Sequence, residues 1–354
     1  MSLNFPLAFF PKLNIILFSE AMKSSEIFFE KKKKLIPIKG DFFLKDIVSL
    51  DQFDRKSVEK VFTTTAKIKK TPTKKLLKIL SGKIIGLLFF EPSTRTFSSN
   101  SAAVKRLGGQ TIEYQNPLQT SSVVKGETIE DTTMMIQQYS DAIVVRHSLV
   151  GTVKIIANTA DIPVINAGDG IGEHPTQALL DMFTIYEKQG YLDHLKGLIV
   201  GDLLNGRTVH SLIRGLSIFP NNTLYLLSPK QLRLSNKDLE EAKKRKIKLV
   251  EIKSFEEIPA DCHFWYWTRV QKERFTDQRE YEKLKLSFIL TKKLVNKKAG
   301  KNTLIMHPLP RVGEIETAVD ADPRAVYLTT EAKNGMYIRM ALFSLILGSK
   351  SSSL

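Results

Sequence analysis

The chain reads as two α/β domains, each with a mainly parallel central sheet flanked by helices. Three observations lead there. Short apolar runs alternate with helical patterns over most of the length, the signature of strand–helix–strand units. The rhythm begins again after a long helical stretch near residue 180. And 354 residues is long for one hydrophobic core but comfortable for two.

The elements follow in order. Residues 1–36 stand apart: apolar stretches at 5–10 and 13–18 are followed by the lysine block 31–34. Pro11, Lys12 and Asn14 interrupt the run, which is too short to span a bilayer. It reads equally as a cleavable targeting leader and as an extension without function. An amphipathic helix is expected over 49–70, with Ser49 and Gln52 spaced as a capping box. Strand 83–90 leads into a helix ended by Gly108 and Gly109. Strand 110–115, a polar loop at 116–125, a helix over 127–139 and strand 142–145 come next, then a helix near 152–159 and strand 163–166.

A long helix over 175–188, stopped by Gly190, joins the halves. The second half reads strand 197–201, helix 206–218, strand 223–227, helix 236–246 and strands 248–252, 262–267 and 303–306. The apolar stretch 329–347 is long enough to return to the first domain. The expected division is therefore 37–180 plus the terminal helix 329–348, and 181–328.

Composition, 42% apolar and 25% charged, is that of a globular protein. The formal net charge of +16 is mostly lysine, spread along helical faces such as 241–246. No RNA-recognition signature, zinc spacing or basic region joined to heptads accompanies it, so it reads as a solvated surface and no nucleic-acid partner is expected. Cys262 is the only cysteine, which excludes an intrachain disulfide and a Cys-based zinc site. That fits a reducing compartment. The cytoplasm is expected, or an organelle if 1–36 is a leader; no segment calls for a membrane.

The most informative stretch is Phe89-Phe90-Glu91-Pro92-Ser93-Thr94-Arg95-Thr96. It sits where a strand ends and a helix begins, and a helix N-terminus favours an anion. Ser93, Thr94 and Thr96 add neutral donors, and Arg95 adds a fork that fits phosphate oxygens. Residue types alone would equally give an N-cap cluster with a surface arginine. Gly-x-x-x-x-Gly-Lys is absent, so ATP or GTP is not indicated. As a whole, the string resembles the phosphate-binding motif of the aspartate/ornithine carbamoyltransferase family.

Five further segments extend the resemblance over roughly residues 40–348. Arg146, beside His147 at a strand end, is implied to contact the carbonyl oxygen and phosphate of carbamoyl phosphate. His174-Pro175-Thr176-Gln177 opens the long helix, with His174 and Gln177 three positions apart on one face. The resemblance gives His174 the carbonyl oxygen and Gln177 the carbamoyl amide nitrogen. In the polar loop, Ser121 and Lys125 are implied to enter the site of an adjacent subunit, and a homotrimer with shared sites is implied with them. Arg207 stands at the mouth of a helix after Gly201-Asp202, well placed for a carboxylate, whereas the missing G-x-G-x-x-G argues against a dinucleotide.

Trp267-Thr268-Arg269-Val270-Gln271 resembles the aspartate-binding segment of the family's aspartate branch, in which Arg269 and Gln271 hold the amino acid. The ornithine branch carries a different segment and a His-Cys-Leu-Pro motif; here the chain reads His307-Pro308-Leu309-Pro310-Arg311. The implied carbamoyl phosphate contacts are thus Ser93, Thr94, Arg95, Thr96, Ser121, Arg146, His174, Gln177, Leu309 and Pro310. Lys125, Arg207, Arg269 and Gln271 are implied for L-aspartate. Arg95, Thr96, Lys125, Arg146 and His174 would carry the chemistry. No metal and no cofactor is implied, and a regulatory chain is left open. One departure is Asn100, where the family usually has an aromatic residue. Two other readings are weighed: transfer to a different amino acid, and a non-catalytic basic protein that binds nucleic acid on the same scaffold.

Overall fold

The computed structural model describes residues 35–117, 126–272, 275, 277–285 and 287–348. The described residues from Ile36 onward form one compact unit. Within it lie two wholly parallel sheets, as expected for the fold class. The first is ordered β2-β1-β3-β4, from β1 (Ile84–Phe89), β2 (Gln110–Gln115), β3 (Ala142–His147) and β4 (Val164–Asp169). The second is ordered β7-β6-β5-β8-β9, from β5 (Lys196–Val200), β6 (Thr223–Leu227), β7 (Lys248–Ile252), β8 (Phe264–Trp267) and β9 (Leu304–Met306).

Both orders contain a reversal. The chain moves from β1 outward to β2 and then returns to place β3 on the other side of β1. Likewise it moves from β5 through β6 to β7 and returns to place β8 beside β5. In open α/β sheets the carboxyl ends of the two strands at such a reversal frame a crevice that binds ligands. Those four strand ends lead into Ser93–Thr96, Arg146, Arg207 and Arg269.

Strands β1, β3, β4, β5, β8 and β9 are almost wholly buried, so they read as near-continuous apolar runs rather than alternations, whereas the outer strands β2 and β7 are mostly half-buried or exposed. Helix Pro175–Gln189 leaves the end of β4 and packs on both the first sheet and helix Arg207–Leu216. The C-terminal helix Thr330–Leu347 packs against helices Arg55–Lys70, Thr94–Arg106 and Pro175–Gln189, so the chain does return to its first half. Phe62 and Phe183 meet edge-to-face at 5.3 Å in that layer.

Several expected bounds move for local reasons. The Ser49–Gln52 capping box exists, but it caps a short 3-10 turn, Leu50–Gln52. Phe53 is extended, and the long helix starts afresh at Arg55 under Asp54, whose Oδ1 accepts from Ser57 N at 2.8 Å. The helix expected over 127–139 is Ile129–Ile136, capped by Thr128. β3 runs on through Arg146 and His147, so the arginine is part of the strand. Short charged helices at Gln278–Leu284 and Lys292–Lys298 carry too little apolar periodicity to have been expected. Asn100 is buried, and its Nδ2 donates back to Thr96 O at 2.8 Å.

Candidate active site

A cavity of about 660 Å³ opens between the carboxyl ends of the two sheets. Ser93, Thr94, Arg95, Thr96, Arg146, His174, Gln177, Arg207, Arg269, Gln271, Leu309 and Pro310 all line it. Ser121 and Lys125 lie outside the described residues. Arg311 turns to Asp320 and Tyr327 instead.

The first wall is the joint between β1 and helix Thr94–Arg106. Ser93 is the N-cap residue but makes no side-chain cap bond, so its hydroxyl is not consumed by the helix start. Pro92 precedes the cap and stands outside the first turn. Arg95 borders the pocket and is held below the usual arginine range by desolvation and by the charge of Arg269. Thus an arginine from each sheet's end feels the other.

Arg146 is 6% exposed. Its Nη2 lies 2.8 Å from Glu91 Oε2 and its Nη1 donates to Ala167 O at 3.3 Å. Burial, then Arg207, lowers it to about 10, with Glu91 opposing the shift. Arg207 Nη1 reaches the same Glu91 oxygen at 3.3 Å and Gly170 O at 2.7 Å. Gly168 makes this crowding possible: at φ +130° a Cβ there would lie 2.8 Å from Arg146 Nη1 and 3.5 Å from Arg207 Cζ.

His174 is 3% exposed and is held well below the usual histidine range, by burial first and then by Arg207, Arg146 and Arg339. Its imidazole is therefore neutral. Its backbone N–H donates to Ser211 Oγ at 3.0 Å. The preceding Glu173 is anchored from both halves. It accepts from Ser49 Oγ at 2.6 Å and Leu50 N at 2.9 Å, and Arg214 Nη1 lies 2.6 Å from its Oε1. Gln177 shares the pocket face, with its Nε2 donating to Asp181 Oδ1 at 2.9 Å.

The opposite wall is knit by Asp202, which is fully buried. Its carboxylate accepts from Asn205 N at 2.9 Å and Gln271 N at 3.3 Å, and Gln271 Nε2 donates to Asn205 O at 2.8 Å. The Gly-Asp pair thus holds the Arg207 and Arg269 segments together. Gly201 permits the close approach, since a Cβ there would lie 2.1 Å from Thr268 O. The floor is set by buried His307. Its Nδ1 accepts from Leu309 N at 2.8 Å, and its Nε2 meets Glu314 Oε1 at 2.7 Å. Among the described residues no group of three or more His, Cys, Asp or Glu side chains is arranged to hold a metal.

The site is a cationic crevice with neutral donors, suited to polyanions. Two family models match successive parts of the chain: the carbamoyl-phosphate binding domain of aspartate/ornithine carbamoyltransferase over residues 45–187, and the Asp/Orn binding domain over 193–346. The chain belongs to the aspartate/ornithine carbamoyltransferase family. The aspartate carbamoyltransferase catalytic subunit of Methanobrevibacter smithii is 44% identical over 307 residues, covering 86% of this chain and 96% of that protein. An aspartate transcarbamoylase of Trypanosoma cruzi, solved with carbamoyl phosphate and aspartate, superposes with a TM-score of 0.81 at 35% identity, covering 89% of this chain and 100% of that one. The same enzyme bound to N-(phosphonacetyl)-L-aspartic acid gives 0.79 at 34% identity, covering 89% and 99%.

Against this carbamoyltransferase framework, sequence reasoning overlooked Glu91, Gly168 and Asp202. An acid inside an anion site runs against the charge logic that found the arginines. Gly168 carries no side chain for charge reasoning to find, and Asp202 stands out only as half of a nucleotide-type Gly-Asp pair. The signal for Glu91 was present, since it stands inside the Phe-Glu-Pro-Ser-Thr-Arg-Thr string itself.

Proposed function

We propose that this chain transfers the carbamoyl group of carbamoyl phosphate to the amino group of L-aspartate, giving N-carbamoyl-L-aspartate and phosphate, a step of pyrimidine biosynthesis. One observation carries the reading. Arg95 and Arg146 from the first sheet and Arg207 and Arg269 from the second line a single cavity. Among the described residues the arginines outnumber the two acids that line the cavity, Glu91 and Glu331, which suits a phosphate together with a dicarboxylate. The cationic side chain of ornithine would be repelled there.

In the reaction the amine nitrogen bonds to the carbonyl carbon, and the bond from that carbon to the phosphate oxygen breaks. The electron pair leaves with phosphate. Negative charge grows on the carbonyl oxygen, which Thr96, Arg146 and His174 stabilise. A preorganised donor of this kind contributes ~2.7–4 kcal/mol, and holding two reactants in line supplies ~7–11 kcal/mol. His174, kept neutral by burial and three arginines, donates a hydrogen bond without adding charge. A depressed pKa makes it a weak base, so the amine proton passes to the departing phosphate oxygens. Ser121 and Lys125 are assigned to the site of a neighbouring subunit, and the assembly to a homotrimer, on the resemblance alone.

The test is phosphate release from carbamoyl phosphate with L-aspartate or L-ornithine as acceptor. Release that depends on aspartate and yields N-carbamoyl-L-aspartate is expected. Release that depends on ornithine, or on neither, overturns the reading.

A further inference from the structure

The His174 imidazole has little side-chain support of its own. Among the described residues its contact to Thr176 Oγ1, from Nδ1, is long at 3.4 Å. Its aim is therefore set by the backbone that carries it. The peptide between Glu173 and His174 is held at both polar ends. Glu173 O accepts from Asp169 N at 3.1 Å, and His174 N donates to Ser211 Oγ at 3.0 Å. The Glu173 side chain adds a further anchor, to Ser49 Oγ, Leu50 N and Arg214 Nη1. Gly170 and Gly172 lie just before it, so the segment's stiffness has to come from such contacts.

Ser211 and Arg214 both belong to helix Arg207–Leu216. With Arg207 they stand at i, i+4 and i+7, positions that share one helix face. That face carries Arg207 to the cavity, Ser211 to the His174 backbone and Arg214 to the Glu173 carboxylate. Arg214 is itself fixed by Glu241 of helix Asn236–Lys244, to whose Oε1 its Nη2 and Nε donate at 2.6 Å and 3.1 Å. Arg245 extends the row, donating to the same Glu241 oxygen at 3.0 Å and to Asp51 Oδ1 at 2.7 Å. The Glu173 and Arg214 side chains are each only 19% exposed. The pair is thus shielded from water, unlike the exposed ion pairs that contribute little. Neither residue lines the cavity, so any effect on the chemistry passes through His174.

We propose that Glu173 and Arg214 are positioning residues for the transfer reaction. Their ion pair, with the Ser211 hydrogen bond, clamps the His174 backbone to the helix that bears Arg207. The donor at the carbamoyl oxygen is thereby held in register with the arginine that faces the acceptor's carboxylate. The catalytic consequence rests on the carbamoyl transfer reading; the clamp itself does not.

The test uses the full chain with Arg214→Ala, Arg214→Lys, Glu173→Gln and the double variant Glu173→Gln/Arg214→Ala. Arg245→Ala is the control, because it breaks the outer end of the row and touches neither residue 173 nor residue 174. Arg214→Ala is expected to lower kcat by about 10–100-fold, the scale of a misplaced catalytic group. The KM for aspartate changes less, and inorganic phosphate binds as in wild type, which shows the first sheet's anion site intact. Glu173→Gln also lowers kcat, and the double variant is no worse than the poorer single one, since both remove the same interaction. Arg214→Lys recovers part of the loss, and Arg245→Ala retains wild-type kcat. Wild-type kcat in Arg214→Ala, additive losses in the double variant, or an equal loss in Arg245→Ala overturns the positioning role. So does phosphate binding that falls in step with kcat. Backbone amide exchange over residues 170–178 is expected to quicken in Arg214→Ala, and unchanged exchange overturns the clamp. Absence of any aspartate-dependent turnover in wild type condemns the transferase reading instead, and the exchange result still judges the clamp.

Discussion

Arg146 Nη2 lies 2.8 Å from Glu91 Oε2. The pair links the carboxyl end of β3 to the turn that follows β1, the two strands at which the first sheet reverses direction. It also explains how a nearly buried guanidinium can stand beside Arg207. Glu91 offsets a repulsion that is large enough, with burial, to lower Arg146 to about 10.

Removing this guanidinium takes away a donor aimed at the reacting carbonyl. Arg146→Ala is expected to lower kcat by ~10²–10³-fold, with a smaller change in the KM for aspartate. Arg146→Lys should restore little, because a point charge cannot span Glu91 and Ala167 O as a planar fork does. Steady-state kinetics with each substrate varied decide it. Turnover at the wild-type level in Arg146→Ala would remove this residue from the mechanism.

Gly168 is the steric condition for the same cluster. Gly168→Ala would put a methyl group 2.8 Å from Arg146 Nη1, in a backbone region that costs ~1–3 kcal/mol for a residue with a Cβ. The expected outcome is a loss of kcat of at least about tenfold, because Arg146 must move. Gly190→Ala serves as the control: it too has positive φ, but its Cβ meets nothing within 4 Å. Equal kinetics in both variants would mean that the crowding at Gly168 is irrelevant to catalysis.

How much of this was legible depends on locality. Strands 110–115, 223–227 and 248–252 and the helix over 152–159 fell on their observed bounds, because each is a contiguous pattern closed by turn residues. The cationic half of the site was legible for a related reason: its residues sit in short strings at strand ends. The strand holding Arg146 was cut short because Arg146 and His147 are polar, and only the fold reveals that both are buried. Ser121 and Lys125, implied by the same resemblance as Arg146, lie outside the described residues.

His147 gives a pH prediction. Burial lowers it from 6.5 to about 4. Between those values the unfolded chain binds a proton that the folded chain refuses, so stability falls as pH falls, by roughly 1.4 kcal/mol per pH unit. From pH 7 to pH 5 the loss from this residue is about 2 kcal/mol. His147→Asn retains an acceptor for Leu149 N, which now donates to Nδ1 at 3.0 Å, but cannot titrate. Urea unfolding at both pH values should give the variant a smaller decline than wild type. Equal declines would show that His147 is not held neutral.

Lys125 is assigned across a subunit boundary. Mixing inactive Lys125→Ala with inactive Arg95→Ala chains under conditions that exchange subunits is therefore expected to recover activity, since some hybrid sites combine two intact contributions. No recovery, with mixed assembly confirmed, would place Lys125 in the site of its own chain or in none.

The central claim is that arginines from two separate sheets serve one site for two anions. Calorimetric titration with N-(phosphonacetyl)-L-aspartate, a single molecule carrying both a phosphonate and a dicarboxylate, tests this most directly. One molecule is expected to bind per chain, and Arg95→Ala and Arg269→Ala are each expected to weaken it by roughly 10–100-fold, the scale of a charge-assisted hydrogen bond. Wild-type affinity in either variant would contradict the claim.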